Sequence, residues 1–282
     1  TRGGLIAGQE VSLTAQSLRN EGGTLRAGIA GAPVATGTSA TPGAANANAA
    51  GTQGHLTIKT GGDVVNREQG LMLAMGKLAI DAANVDNTTQ SRIVARDVDI
   101  DARGNVGNLD SAIEADGTLA IDAETIVNRK KAAAPAAAAA SSSSSSAPAP
   151  ATPSGQIGAL NVTLKARQSL DNAGRIEGGN VTVTTEALHN RAAGEILGQG
   201  GLVDIGTHTY DNAGKIHSTQ AAKLTLTQGA NLEIDAALKL PTADQWLALK
   251  ANDITVGRDL ASAGDLVLEA SGAIRNLSLI HI

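Results

Sequence analysis

The sequence predicts an all-β protein: a right-handed parallel β-helix, or solenoid, with coils of about 20 residues, interrupted by two low-complexity loops. Three observations point there. "LDNAGRI" at 170–176 returns as "YDNAGKI" at 210–216, with "LHNRAAGEI" at 188–196 between them. Gly174, Gly194 and Gly214 fall 20 residues apart, as do Ile176, Ile196 and Ile216. Second, short apolar–x–apolar–x–small segments recur along the chain, the period-2 signature of a half-buried strand. Third, no unit shows a 3.6-residue apolar pattern, which excludes helical solenoids. A unit this short cannot bury its own apolar face, but stacked copies bury one continuous core.

The strand segments come in order as "VSLTA" (11–15), "LTIKT" (56–60), "LAIDA" (78–82), "VDIDA" (98–102) and "LAIDA" (119–123). They continue as "VTLKA" (162–166), "VTVTT" (181–185), "VDIG" (203–206) and "LVLEA" (266–270). Downstream of each comes an Asn: Asn20, Asn66, Asn87, Asn108, Asn128, Asn172, Asn190, Asn212 and Asn276. One unit therefore reads strand, turn at Asn, second short strand, turn. Asn suits a corner because it tolerates left-handed geometry, and stacked Asn side chains can form amide ladders. The right hand is expected because parallel crossovers overwhelmingly take it. An antiparallel sandwich also has turns every 8–12 residues, but it does not require Asn and Gly to return in phase.

Composition fits a thin, regular interior. Aromatics are 1% of the chain, with no Phe, so a core built on large rings is excluded. Hydrophobic residues still reach 42%, mostly small aliphatics, alongside 33 Gly. Net charge is −5, which gives no basic footprint for nucleic acid. Cys is absent, which suits a chain exported unfolded. No run approaches the 18 uncharged apolar residues of a membrane helix. The chain starts at Thr1 with no signal peptide following, and is expected to be an internal fragment.

Two segments break the period. Residues 31–54 are rich in Ala, Gly and Thr, and residues 132–154 are an Ala/Ser/Pro run that cannot repay the entropy of ordering. They are expected as excursions from a coil corner or as spacers between stacks of coils. The coil blocks are then 1–30, 55–131 and 155–276. In 240–276 the alternation persists but its spacing drifts, and Trp246 is expected to cover a wider coil. The tail 277–282, "LSLIHI", abandons the pattern. A transposon-adapter end, CTG TCT CTT ATA CAC ATC, encodes that hexapeptide, so the tail is expected to be non-native.

Several motifs resemble chemical sites. "DVDIDA" (97–102) has Asp at alternate positions like a calcium loop, but Ala102 and Asn108 stand where that loop needs Gly and Glu. Val98 and Ile100 are expected to point inward, leaving the carboxylates in solvent. "GLMLAMGK" (70–77) resembles a phosphate loop with its glycines one residue too far apart, and reads better as a buried strand. His189 and His208, with Asp204 and Asp211, are the nearest approach to a metal set. His55, His217 and His281 read as surface residues. Asn87, Asn161, Asn180 and Asn276 begin N-x-S/T sequons. No catalytic, cofactor-binding or metal-binding residue is assigned, and no cofactor is expected.

The phrase "VTLKARQSLDNAGRIEGGNVTVTTEALHNRAAGEI" closely resembles the filamentous-haemagglutinin repeat of bacterial two-partner-secretion exoproteins. That group includes large adhesins and contact-dependent growth-inhibition toxins. The resemblance implies a secreted rod displayed at the bacterial cell surface and exported through an outer-membrane two-partner-secretion transporter. A receptor or glycan on a host or neighbouring cell is a further expected partner. The family's transport and effector domains have no counterpart here, so adhesin and toxin stalk stay unseparated. The expected role is non-enzymatic reach and display. The alternatives are a β-helical polysaccharide-processing enzyme, or a receptor- or glycan-binding module using the corner loops.

Overall fold

The computed structural model describes residues 2–28, 54–129 and 155–218, with segments 221–226, 231–234, 238–240, 247–251, 253–257, 260–262 and 266–277 beyond them. Every element among these is a β-strand, and every strand pairing is parallel. The chain forms a solenoid. Eight coils follow one another: 5–21, 24–67, 71–88, 92–109, 112–129, 156–173, 175–190 and 195–212.

Each coil has three strand segments, not the two that the sequence suggests. Face A opens the coil (Leu5–Gly8, then Thr24–Ala27), face B follows (Val11–Ala15, then Leu56–Thr60), and face C closes it (Leu18–Glu21, then Val64–Arg67). All the period-2 segments read from sequence through residue 206 lie on face B. Facing residues in successive uninterrupted coils are 18 to 22 positions apart, as in Leu170↔Leu188 and Val181↔Val203.

The pleat turns alternate residues inward, and parallel register stacks like on like. On face A one column runs Leu25, Met72, Ile93, Ile113, Ile157, Ile176, Ile196, all fully buried. Face B contributes Ile58, Ile80, Ile100, Ile121, Leu164, Val183 and Ile205 in one column. Beside it stand small residues, Ala82, Ala102, Ala123, Ala166 and Thr185, which let the faces approach. Face C contributes Val64, Val85, Val106, Ile126, Leu170, Leu188 and Tyr210. Burying each such side chain is worth about 1.5–3 kcal/mol.

The asparagines are not at corners. They lie inside face C, point inward, and form one amide ladder through eight coils. Each side-chain Nδ2 donates to the Oδ1 of the next: Asn20 to Asn66, Asn66 to Asn87, Asn87 to Asn108, and Asn108 to Asn128. The ladder continues from Asn128 to Asn172, Asn172 to Asn190, and Asn190 to Asn212, with all seven bonds at 2.7–2.9 Å. The same Nδ2 groups reach the carbonyl that opens face A two coils on. Asn87 donates to Ala112 and Asn108 to Gln156, both at 2.9 Å. The left-handed residues fall two or three positions later, at Glu68, Gln69, Thr89, Gln90 and Asp110. Asn is selected here for its two-sided amide rather than for a turn.

Neither low-complexity segment separates stacks. Val11 to Ala15 pair with Leu56 to Thr60 across the first, and Leu119 to Ala123 pair with Val162 to Ala166 across the second. The described residues that flank them, Gly28 and Gly54 at the first and Arg129 and Gly155 at the second, lie at corners of the solenoid.

Beyond residue 226 three-strand coils recur. Asn231–Ile234, Asp253–Val256 and Ile274–Asn276 form one sheet; Leu238–Leu240 pairs with Leu260–Ser262, and Leu247–Ala251 with Leu266–Ala270. Asn276 stands opposite Val256, not opposite another Asn. Trp246, His281 and residues 278–282 lie outside the described residues.

Candidate functional site

Because inward positions are committed to the stack, any recognition surface must come from outward side chains and corners. The residues flanking the two low-complexity segments have defined geometry. At the first, Gly28 N–H donates down to Gly8 (3.0 Å), while Gly54 offers its carbonyl up to Gly76 N–H (2.9 Å). Two glycines thus share one rung, and a Cβ on Gly54 would overlap the Gly28 backbone. Gly28 also has φ +91, which favours glycine. At the second neck Arg129 and Gly155 meet in the same way. A Cβ on Gly155 would lie 2.7 Å from Arg129 N.

The first neck lies where face A turns into face B, and the second where face C turns into face A. Both therefore border face A, on opposite edges and in different coils. On the outer side of that face, in the coils between the necks, Leu71, Leu73 and Val94 point outward and are half-buried. Met75, beside the first neck, is 53% exposed.

Face B is acidic. Lys59, Asp81, Asp101, Asp122 and Lys165 form one outward column. Cations from later coils answer it. Arg103 contacts Asp81 at 3.1 Å and donates to the Thr60 and Gly61 carbonyls at 3.1 and 3.0 Å. Arg167 binds Asp122 and the Ala102 and Arg103 carbonyls, so each guanidinium fastens three coils together. Small Ala79 leaves a shallow cavity of about 180 Å³ between Lys59, Asp81, Asp99 and Asp101.

The sequence motifs fall as follows. Val98 and Ile100 of "DVDIDA" are buried, and its aspartates point outward; Asp99 pairs with Lys77 at 2.7 Å. Asp97 accepts from Thr118 Oγ1 and N–H, which holds its carboxyl below the usual range. "GLMLAMGK" is strand, but half-buried: Met72 and Ala74 face in, Leu73 and Met75 out. His189 and His208 do not meet. His189 faces Asp211 (3.4 Å) and His208 faces Glu186 (3.1 Å). No group of three or more His, Asp or Glu side chains is placed to hold a metal ion among the described residues. Of the sequons, Asn87 is sealed in the amide ladder, whereas Asn180 hydrogen-bonds Asn161 at 2.8 Å on an exposed corner.

The unpredicted features are the amide ladder's inward position and the paired necks. The ladder's signal was present in the Asn period. The necks leave no local mark beyond a Gly at the edge of a low-complexity run. No family model, curated protein or solved structure matches this chain.

Proposed function

We propose that this chain is a segment of an extracellular bacterial rod of the filamentous-haemagglutinin type, exported by an outer-membrane transporter, whose coils supply reach. The observation that supports this reading most is unbroken strand pairing from Leu5 to Leu226, carried past both low-complexity segments. A stack in which each coil contacts its neighbours adds length with every repeat. The role is non-enzymatic: successive coils present interchangeable inner surfaces, and outward charges such as Lys77 with Asp99 and Arg103 with Asp81 pair between coils.

The test is to remove residues 176–195 from the parent exoprotein. A rod stays secreted and keeps its adhesive or inhibitory activity. A folded, secreted deletion that has lost all activity contradicts the reading.

One observation favours a second reading, a binding module. Both necks border face A, where Leu71, Leu73 and Val94 point outward. Binding of the purified chain to cells or a glycan array, lost when Leu73 becomes Asp, would favour that reading over a passive rod.

A further inference from the structure

Corner lengths carry an inference about the two interruptions. On face A, Gly8, Ala27, Ala74 and Ala95 are in register, and on face B so are Val11, Leu56, Leu78 and Val98. The corner between them is Gln9–Glu10 in coil one and Arg96–Asp97 in coil four. In coil two the same corner holds everything from Gly28 to His55. Remove 29–54 and it becomes Gly28–His55, the same two-residue length.

The second interruption behaves alike. Asn128, Asn172 and Asn212 are ladder rungs, and Gln156, Arg175 and Lys215 open face A in register. Ala173–Gly174 and Ala213–Gly214 link rung to strand in two of these coils. Remove 130–154 and Arg129–Gly155 becomes the same kind of link, with glycine in the same place.

We propose that the two necks are length-neutral ports in an otherwise complete solenoid. Residues 29–54 and 130–154 are dispensable for folding, and the stack closes across each neck without them. The shared rungs explain how. Gly28 supplies the donor to the coil below and Gly54 the acceptor to the coil above, so hydrogen bonding closes across the neck whatever the excursion's length. This inference is independent of the proposed extracellular role.

The experiment compares the 282-residue chain with the deletions Δ29–54, Δ130–154 and both together. A displaced deletion of equal length, Δ34–59, removes Leu56 and Ile58 from the core and serves as the unfolding control. A fifth variant replaces 29–53 with a Gly/Ser linker of equal length. Circular dichroism and thermal melting are the readouts. The in-phase deletions and the linker variant keep the β-sheet spectrum and melt within about 5 °C of the parent or above it; the control melts far lower. A larger fall in any in-phase deletion or in the linker variant overturns the proposal.

Discussion

Asn172 Nδ2 donates to Asn190 Oδ1 at 2.8 Å, while Asn172 Oδ1 accepts from Asn128 Nδ2 at 2.9 Å. The one side chain thus ties three coils through a buried interior. Asn172→Ala strands partners on both sides and is expected to cost on the order of 2–4 kcal/mol, each orphaned buried group costing about 1–3 kcal/mol. Asn172→Asp costs more at neutral pH, because a buried carboxylate then faces the Asn190 carbonyl oxygen. Asn180→Ala, in the exposed pair with Asn161, costs less than about 1 kcal/mol. Urea unfolding midpoints of the three variants check the order.

Ile196 sits fully buried between Ile176 and Ile216. Ile196→Ala is expected to lose about 2–5 kcal/mol through burial and a cavity, and Ile196→Lys more, through an unpaired buried charge. Thr182 points outward on face B, so Thr182→Lys is nearly neutral. Equal destabilisation by the two lysines would put the register in error.

Glycines that recur beside the ladder are set by close approach. A Cβ on Gly174 would lie 2.9 Å from Asn128 Nδ2 and closer still to the Gly155 carbonyl. Gly174→Ala therefore forces backbone movement and costs about 1–3 kcal/mol. At Gly158 the nearest atom to an added Cβ is 3.7 Å away, and Gly158→Ala leaves the melting temperature unchanged or raises it. A similar fall for both variants would remove the steric account.

Acid should loosen the first coils. Burial works to raise the Glu21 carboxyl, but hydrogen bonds and charge from Arg2 and Arg67 outweigh it and hold it below the usual range. A depressed folded-state value adds stability above the unfolded value, lost as pH falls through the folded one. Asp97 acts in the same direction through its bonds from Thr118. Asp86 acts oppositely, since burial and nearby Asp63 raise it. Melting curves between about pH 6 and pH 2 should show a smaller acid loss for Glu21→Gln than for the parent. An identical loss would mean Glu21 contributes nothing to it.

Face B was legible because five-residue segments such as "LAIDA" alternate cleanly. Face A was legible only as the second short strand carrying Ile176, Ile196 and Ile216, and face C was read as a turn. Their segments are only about four residues long, and "LMLA" or "RIVA" also carries apolar side chains outward, blurring the alternation. The ladder residues were found but misplaced. Asn next to Ala–Gly reads as a turn by local propensity, and only three-dimensional stacking shows that its amide is needed inside. The pairing of His189 with Asp211 rather than His208 was hidden for a different reason. Corner lengths vary from coil to coil, so fixed spacing does not predict which outward residues face each other. The necks depend on two glycines meeting across a long interruption, which no local pattern records.

The coils form one unbroken column. Thr57, Ala79, Asp99, Ala120, Thr163, Thr182 and Asp204 stand in a single outward column of face B, spanning the second interruption. The chain has no Cys, so spin labels at Thr57→Cys and Asp204→Cys report one distance by pulsed electron resonance. Six strand spacings place the two backbones about 29 Å apart, and removing 176–195 should shorten that by about 4.8 Å. A broad distribution, a distance well beyond that span, or no change on deletion would contradict the stack.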